Sequence, residues 1–388
     1  MILEELRERK CAYVDRYPPY YIASAGCHEL NLVNQSAEFF LDQNGEPENL
    51  RLHTIFCAPP GCSKTFWINQ FLRGKYAILG DTGIDITLEA TLTGAGFVGT
   101  TRFNQGESIR EPGLAEVHQK AIIGIEEFSA VTTMFKTSHS GELDNALLLA
   151  LDSGYVYKRL AAGPIKYRTY VTLQTGSQPS RFDLSSGLGR RFCFLEFMPT
   201  LKDFRILTLA TRHLGQLTVN PTRTHQIRMG IRNLRERMAN IKAVDIDTKF
   251  YEYMDDKEVR HIEEVVLKRL LMGYAAMRGY FKNRGHQKDG ILDARFDPTA
   301  RGLIERQHQW RLNVQRGSEF SQVMIILEDC GGKAAIPILR ERLLDYGMDY
   351  GQASDLIYQM TDRLRLIRKK GNVVFLPGYK EDITNNVI

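Results

Sequence analysis

Two short runs hold the residues whose types and spacing could do chemistry. The first is FCAPPGCSKTFW (56–67), in which Lys64 and Thr65 follow a proline-glycine turn. The second is AIIGIEEFSA (121–130), an apolar run closed by the paired acids Glu126 and Glu127. A lysine and a hydroxyl directly after a tight turn match the last two positions of the phosphate loop G-x-x-x-x-G-K-[ST]. There the turn's backbone N–H groups surround phosphate, the lysine reaches the β/γ oxygens and the hydroxyl ligates magnesium. Here the frame runs from Ala58 to Thr65, with Pro60, Gly61, Cys62 and Ser63 shaping the turn. Ala58 and Ser63 stand where the motif has glycine, and both are small enough for phosphate to approach. A pair of acids beyond such a loop orients the metal and polarises an attacking water. Glu126 is the metal-side acid, acting through water and sharing the magnesium with Thr65, and Glu127 is the general base. The implied cofactors are ATP and Mg2+.

The elements that must position these residues are legible around them. LHTIFC (52–57) is rich in strand formers and reads as a buried strand, and KTFWINQFL (64–72) has apolar spacing suited to a helix. Strand, loop, helix is the order that aims a helix N-terminus at an anion. The run before Glu126 reads as another buried strand.

With these elements in place the sequence resembles the AAA+ ATPases, and within them the branch with an insertion in the second helix and a hairpin before sensor 1. The likeness is greatest to minichromosome maintenance helicases, whose loop also reads P-x-x-K-[ST]. GDTGIDITLEATLTGAGFVGTTR (80–102) resembles the strand and helix-2 insertion, and GIEEFSAVTTM (124–134) the segment C-I-D-E-F-D-K-M. LDNALLLALDSGYVYKRLAAGPIKYRTYVTLQTGSQPSRFD (143–183) resembles a helix, hairpin, strand and sensor turn, and LGRRFCFLEF (188–197) the arginine-finger segment. The resemblance implies a site shared between subunits of a homo-oligomeric, hexameric ring. A neighbour's arginine there offsets the charge that builds on the γ-phosphate. Arg191 fits that position, with Arg190 as the alternate. Gln178, with Ser177 beside it, stands where the family has a water-positioning Asn before Pro, and Arg260 is the sensor 2 arginine. The altered loop glycines, Glu126 in place of Asp and the sensor 1 change make ATP binding a firmer expectation than fast hydrolysis. About 50 residues precede the loop, with no metal-ligand spacing. That implies a small version without the family's N-terminal barrel and zinc site, as in a virus or mobile element.

The expected partner is DNA, single- or double-stranded. YVYKRLAAGPIKYR (155–168) offers Lys158, Arg159 and Lys166 on a hairpin, where bases track a phosphate backbone. The last 70 residues read as a winged helix: helices over 319–330, 333–347 and 351–366, then two strand-forming runs around Lys370-Gly371-Asn372. Arg363, Arg365, Arg368, Lys369 and Lys370 cluster at the third helix's end and the wing. Such a module lays its helix in the major groove while the wing touches phosphate. The basic run NPTRTHQIRMGIRNLRERMAN (220–240) reads as a helix that lines DNA, meets acidic neighbours or is simply solvated.

The whole reads as an α/β chain. An N-terminal helical segment (1–50) precedes an AAA+ parallel-sheet P-loop core (51–200), a helical lid and linker (201–317) and a small winged-helix domain (318–388). Composition is compatible with this. The 388 residues, 43% hydrophobic and 25% charged, leave room for two or three domains. No run of about 18 apolar residues suits a membrane span, and MILEELRERKCAYV has no signal-peptide pattern. Six scattered cysteines without a CxxC fit reduced thiols and a cytoplasmic setting. The net charge of +5 permits a nucleic-acid partner without demanding one. Besides an ATP-driven DNA helicase or initiator, the motifs admit three further readings. They are a MoxR-like remodelling ATPase, a slow-hydrolysing ATP-dependent DNA-binding regulator and a catalytically dead structural module. Lys64, Thr65, Glu127 and Arg191 weigh against the last.

Overall fold

In a computed structural model the chain is described over residues 1–58, 62–104, 107–128, 141–160, 163–177, 191–197, 201–212, 219–345, 348–363 and 366–376. It divides into two compact units, Met1–Arg311 and Leu312–Ile388.

The first unit begins with α1 (Ile2–Glu8) and α2 (Pro18–Ala37), followed by β1 (His53–Cys57), α3 (Lys64–Leu72) and β2 (Asp85–Thr91). Next come α4 (Gly94–Val98), the hairpin β3 (Gly99–Asn104) and β4 (Glu107–Pro112), α5 (Leu114–Val117) and β5 (Ala121–Glu127). After α6 (Gly141–Leu151), a second hairpin of β6 (Tyr155–Leu160) and β7 (Gly163–Arg168) precedes β8 (Thr172–Ser177) and β9 (Phe192–Glu196). Five of these strands form one wholly parallel sheet in the order β2-β5-β8-β1-β9. Strands covered on both faces need near-continuous apolar runs. β1 and β8 are buried throughout, and so are the first five residues of β5.

Several polar residues inside and beside the sheet are bonded into it. The His53 Nδ1 accepts a bond from the Leu173 amide at 3.0 Å, so its Nε2 carries the proton towards the Leu151 carbonyl, also 3.0 Å away. Burial holds this ring neutral, with its pKa pushed well below the ordinary histidine value. The Ser24 hydroxyl donates to the Leu52 carbonyl at 2.7 Å and ties α2 to the sheet. Helices α2 and α3 share a face: Gln174 of β8 meets Tyr21 and Ser24, while Gly176, two residues on, lies under Lys64. Tyr21 stacks on Phe71 between the two helices, with centroids 5.1 Å apart. α2, from the N-terminal 50 residues, thus belongs to this unit's core.

The region expected as a helical lid holds α7 (Leu201–Arg212), α8 (Pro221–Met238), α9 (Thr248–Asp256) and α10 (His261–Arg278). It also holds a small sheet, in the order β10-β12-β11, of β10 (Ala243–Ile246), β11 (Phe281–Arg284) and β12 (Gln287–Ala294). Two of these strands are four residues long, and the eight of β12 change from exposed and polar to buried, so no regular alternation announces them. α10 packs on α2 through Gly273 and Gly26, where a methyl at either position would collide with the other helix's backbone. The basic helix α8 has a structural use. Arg228, Arg232 and Arg235 donate to the carbonyls of Lys75, Ala77, Asp81 and Thr82, and Arg228 also pairs with the Asp81 carboxylate at 2.8 Å. It therefore clamps the segment that follows α3.

The helix α11 (Pro298–Asp329) runs across the boundary between the units. The second unit continues with β13 (Lys333–Ala335), α12 (Ile336–Asp345), α13 (Tyr350–Tyr358), a π-helical turn Gln359–Arg363, β14 (Arg368–Lys370) and β15 (Val373–Phe375). Its core gathers Val323, Ile326, Leu339, Leu343, Leu356 and Val374, among others. Two local differences from the sequence reading have physical causes. Residues 333–335 pair with β15 and so form a strand before the second helix starts. The third helix widens after Tyr358, where the Thr361 hydroxyl bonds the Ile357 carbonyl at 2.8 Å and competes with the helical pattern.

Candidate functional site at the carboxyl edge of the sheet

In a parallel sheet every strand ends at the same edge, and ligands of open α/β folds bind beyond that edge. Cys57 of β1 lies beside Ser177 of β8, and Ile125 of β5 beside Thr175 of β8. The pairing continues past the strand ends. The Ala58 amide donates to the Ser177 carbonyl at 3.2 Å, and the Phe128 amide to the Gly176 carbonyl at 2.7 Å. The chain leaving β1 towards Lys64, the acids ending β5 and Ser177 ending β8 are thereby brought together.

Lys64 opens α3. It is only 8% exposed, and its ammonium donates to the Ala58 carbonyl at 2.7 Å. Burial pushes its pKa down, and the neighbouring Glu127 carboxylate opposes that shift. A buried cation beside one carbonyl and a carboxylate suits an anionic ligand. Ser63 precedes it with φ 67° and ψ 13°, in the left-handed region that glycine favours. This is the position where the phosphate-loop motif has its second glycine. No side chain caps α3, so the amides of its first turn keep the arrangement that receives anions. Cys62 is buried, which raises its thiol pKa, while Thr65 is half-buried.

Glu126 pairs with Arg73, just beyond α3, at 3.1 Å. Gly176 is the close-approach residue of the site. A methyl there would stand 2.6 Å from the Glu126 carbonyl and 3.1 Å from Lys64 Cβ. A small recess of about 30 Å³ opens beside Ser63, lined by Lys10, Phe66, Trp67 and Leu207 among others. A larger open groove of about 650 Å³ runs along Cys11–Arg16 side chains and Arg306, but its arginines are engaged. Arg7 pairs with Asp15, Arg16 lies over Tyr17 and Trp310, and Arg306 donates to the Asp15 carbonyl at 3.1 Å.

The remaining predicted residues lie elsewhere. Arg191 precedes β9, whose first residue pairs with His53 at the start of β1. It therefore sits at the opposite edge of the sheet, roughly 16 Å from the loop at ~3.3 Å per strand residue. It is 6% exposed and bonds the Asp152 carboxylate at 2.8 Å. Arg260 is the exposed N-cap of α10. On the β6–β7 hairpin, Arg159 and Lys166 are exposed and Lys158 half-buried. Arg368, Lys369 and Lys370 are exposed on β14, Lys369 lying 3.7 Å from Asp362, and Arg363 ends the π-helical turn. Pro60, Gly61, Gln178, Arg190 and Arg365 lie outside the described residues.

Five contributors escaped the sequence reading: Gly176, Arg73, Asp152 and the hairpin tyrosines Tyr155 and Tyr157. A glycine one residue from the end of a buried strand signals close approach, so Gly176 had a signal in LQTGS. Arg73 and Asp152 had none, because their partners lie 53 and 39 residues away.

No protein-family model matches the chain, and no curated protein matches it in sequence. Among the described residues, no group of three or more His, Cys, Asp or Glu side chains is placed to hold a metal by itself. No helix among them is long and apolar enough to cross a membrane.

Proposed function

We propose that the chain is an AAA+ ATPase, an ATP-driven motor that assembles as a ring and acts on DNA as a helicase or replication initiator. The observation that carries this reading is the meeting of Lys64, Glu126, Glu127 and Ser177 at one sheet edge, with Ser63 held left-handed before the lysine. The strand order adds support. β8 lies between β1 and β5, so the loop strand and the acid strand stand two spacings apart, about 9–10 Å. Lys64 lies over Gly176 of the strand between them, beside the acids that end β5.

The residues present fit ATP with magnesium. Lys64 and the uncapped amides of α3 would hold phosphate, and Thr65 and Glu126 would serve the metal. Bound magnesium neutralises charge on the phosphate oxygens. Glu127 accepts the proton of the attacking water, and Ser177 offers a hydroxyl at the next strand end. Arg191 is too far from its own chain's Lys64 to serve there, so its finger role requires a second copy, as in a hexameric ring.

The β6–β7 hairpin supports the DNA side. Its cross-strand register puts Tyr155, Tyr157, Arg159, Lys166 and Arg168 on one face. The other face carries Val156, Ile165 and Tyr167, all buried. Lys166 lies 5.7 Å from the Tyr155 ring centroid, and Tyr157 is 42% exposed. One exposed and one half-buried tyrosine interleaved with cations suit a single strand, whose bases stack and whose phosphates meet the cations. The same face weighs against a MoxR-like protein remodeller. The helix–strand–helix–helix–strand–turn–strand order of the second unit supports reading it as a winged helix, which would be a further DNA-contacting module.

A second reading, a slow-hydrolysing ATP-dependent DNA-binding switch, is favoured by the Arg73–Glu126 pair, which engages the metal-side acid. The test is ATP turnover by the full chain with and without single-stranded DNA. The motor predicts turnover that DNA stimulates and Lys64→Ala removes. Tight ATP binding without turnover would select the switch.

A further inference from the structure

We infer that the second unit meets duplex DNA through the β14–β15 turn, and that the outward face of α13 stays off the duplex. This rests on the DNA reading above and departs from the helix-in-groove docking that a winged helix implies.

The helix face argues first. Ala353, Leu356, Ile357 and Met360 point into the core. One turn round, Gly351, Asp355, Tyr358 and Asp362 are exposed. Asp349 caps the helix through a capping box with Gln352 and is exposed at its N-terminal end. The outward side thus carries two carboxylates, Asp355 and Asp362, and a tyrosine 60% exposed, with no lysine or arginine among its described residues. A helix entering the major groove passes between two phosphate chains. Carboxylates there would meet like charge on both sides.

The turn has the opposite character. β14 is the edge strand of the sheet β13-β15-β14. Lys370 pairs with Val373, so Gly371 and Asn372 alone make the turn, Gly371 with φ 60°. All three residues of β14 are exposed cations. Alternation places Arg368 and Lys370 on one face, about 7 Å apart at ~3.3 Å per residue. Lys369 faces the other way, towards Asp362. A narrow ribbon with two cations on one side matches a phosphate backbone in charge, and contacts of that kind position a protein without reading sequence.

The experiment measures affinity of the full chain for a short duplex across a salt series, with melting temperature as the folding control. Arg368→Ala with Lys370→Ala should weaken binding about tenfold or more and flatten the salt dependence by about 1.8, at ~0.9 per phosphate contact. Arg368→Gln with Lys370→Gln repeats the test with the stems retained. Asp355→Lys should leave affinity within about twofold. The inference is overturned if Asp355→Lys strengthens, or Tyr358→Ala weakens, duplex binding about tenfold while the wing variants keep the wild-type slope. A wild-type chain that ignores duplex, yet whose ATPase responds to single strands, also overturns it and leaves the motor standing. A chain indifferent to both kinds of DNA removes the inference and the DNA reading together.

Discussion

Gly176→Ala is the sharpest single-atom test of how the site is built. The added methyl would stand 2.6 Å from the Glu126 carbonyl oxygen, about 0.8 Å closer than the 3.4 Å at which ordinary contact begins. The obstacle is backbone in the neighbouring strand β5, held by the sheet, so it cannot rotate away. The methyl would also press on Lys64 Cβ at 3.1 Å and Cδ at 3.3 Å, pushing the stem that aims the ammonium. Overpacking of this size costs about 1–3 kcal/mol. In a unit this large that lowers Tm by roughly 2–6 °C, at ~2 °C per kcal/mol. Moving Lys64 weakens a charge-assisted bond to phosphate worth about 1.5–3 kcal/mol, so ATP affinity should fall about tenfold. Both tryptophans, Trp67 and Trp310, are buried in the first unit, so their fluorescence follows its melting. ATP affinity is read by titration of the same sample. A Gly176→Ala chain with wild-type Tm and wild-type ATP affinity would refute the close approach of β8, β5 and α3.

Glu127→Gln should keep ATP binding within about threefold and lower turnover at least a hundredfold, the scale of a lost general base. Equal rates in single-turnover assays would remove Glu127 from that role. Arg73→Ala releases Glu126 from a surface pair worth at most about 1 kcal/mol, so half-maximal ATPase should need up to about fivefold less magnesium. An unchanged magnesium titration would mean that Glu126 does not serve the metal. His28 is wholly buried between Thr172 and the Lys120 carbonyl, and burial holds its pKa down at about 3. Because the folded value lies below the unfolded one near 6.5, its contribution is complete above that pH and is lost as pH falls towards 3. Urea unfolding should therefore lose about 1.4 kcal/mol per pH unit from His28 below pH 6.5, and as much from the similarly buried His53. His28→Gln should remove the first share, and an identical pH slope in the variant would contradict it.

The parallel sheet and the strand–loop–helix at Lys64 were legible because their strands are short apolar runs bounded by turn residues. Those signals are local. The acids at the end of β5 were legible for the same reason, since their placement follows from where an apolar run stops. Arg73 beside Glu126 and Asp152 beside Arg191 were not, because each pair is made by the packing of elements far apart in the chain. The hairpin shows both sides. Its cations could be read from YVYKRL and GPIKYR, but the register that puts Arg159 and Lys166 on an outward face with Tyr155 and Tyr157, and Lys158 on the other face beside buried Ile165, is revealed only by the paired strands. The basic run of α8 was open between DNA, acidic neighbours and plain solvation. Its arginines turn to the carbonyls of residues 75–82, which a linear charge pattern does not indicate.

The most direct test of the central claim is the steady-state ATPase rate of the full chain against protein concentration, with and without single-stranded DNA, for wild type and Lys64→Ala. The account predicts a wild-type rate per chain that rises with concentration as Arg191 finds a neighbour's site, rises again with single strands, and is absent from Lys64→Ala. A rate equal in wild type and Lys64→Ala, or one indifferent to both concentration and DNA, would contradict it.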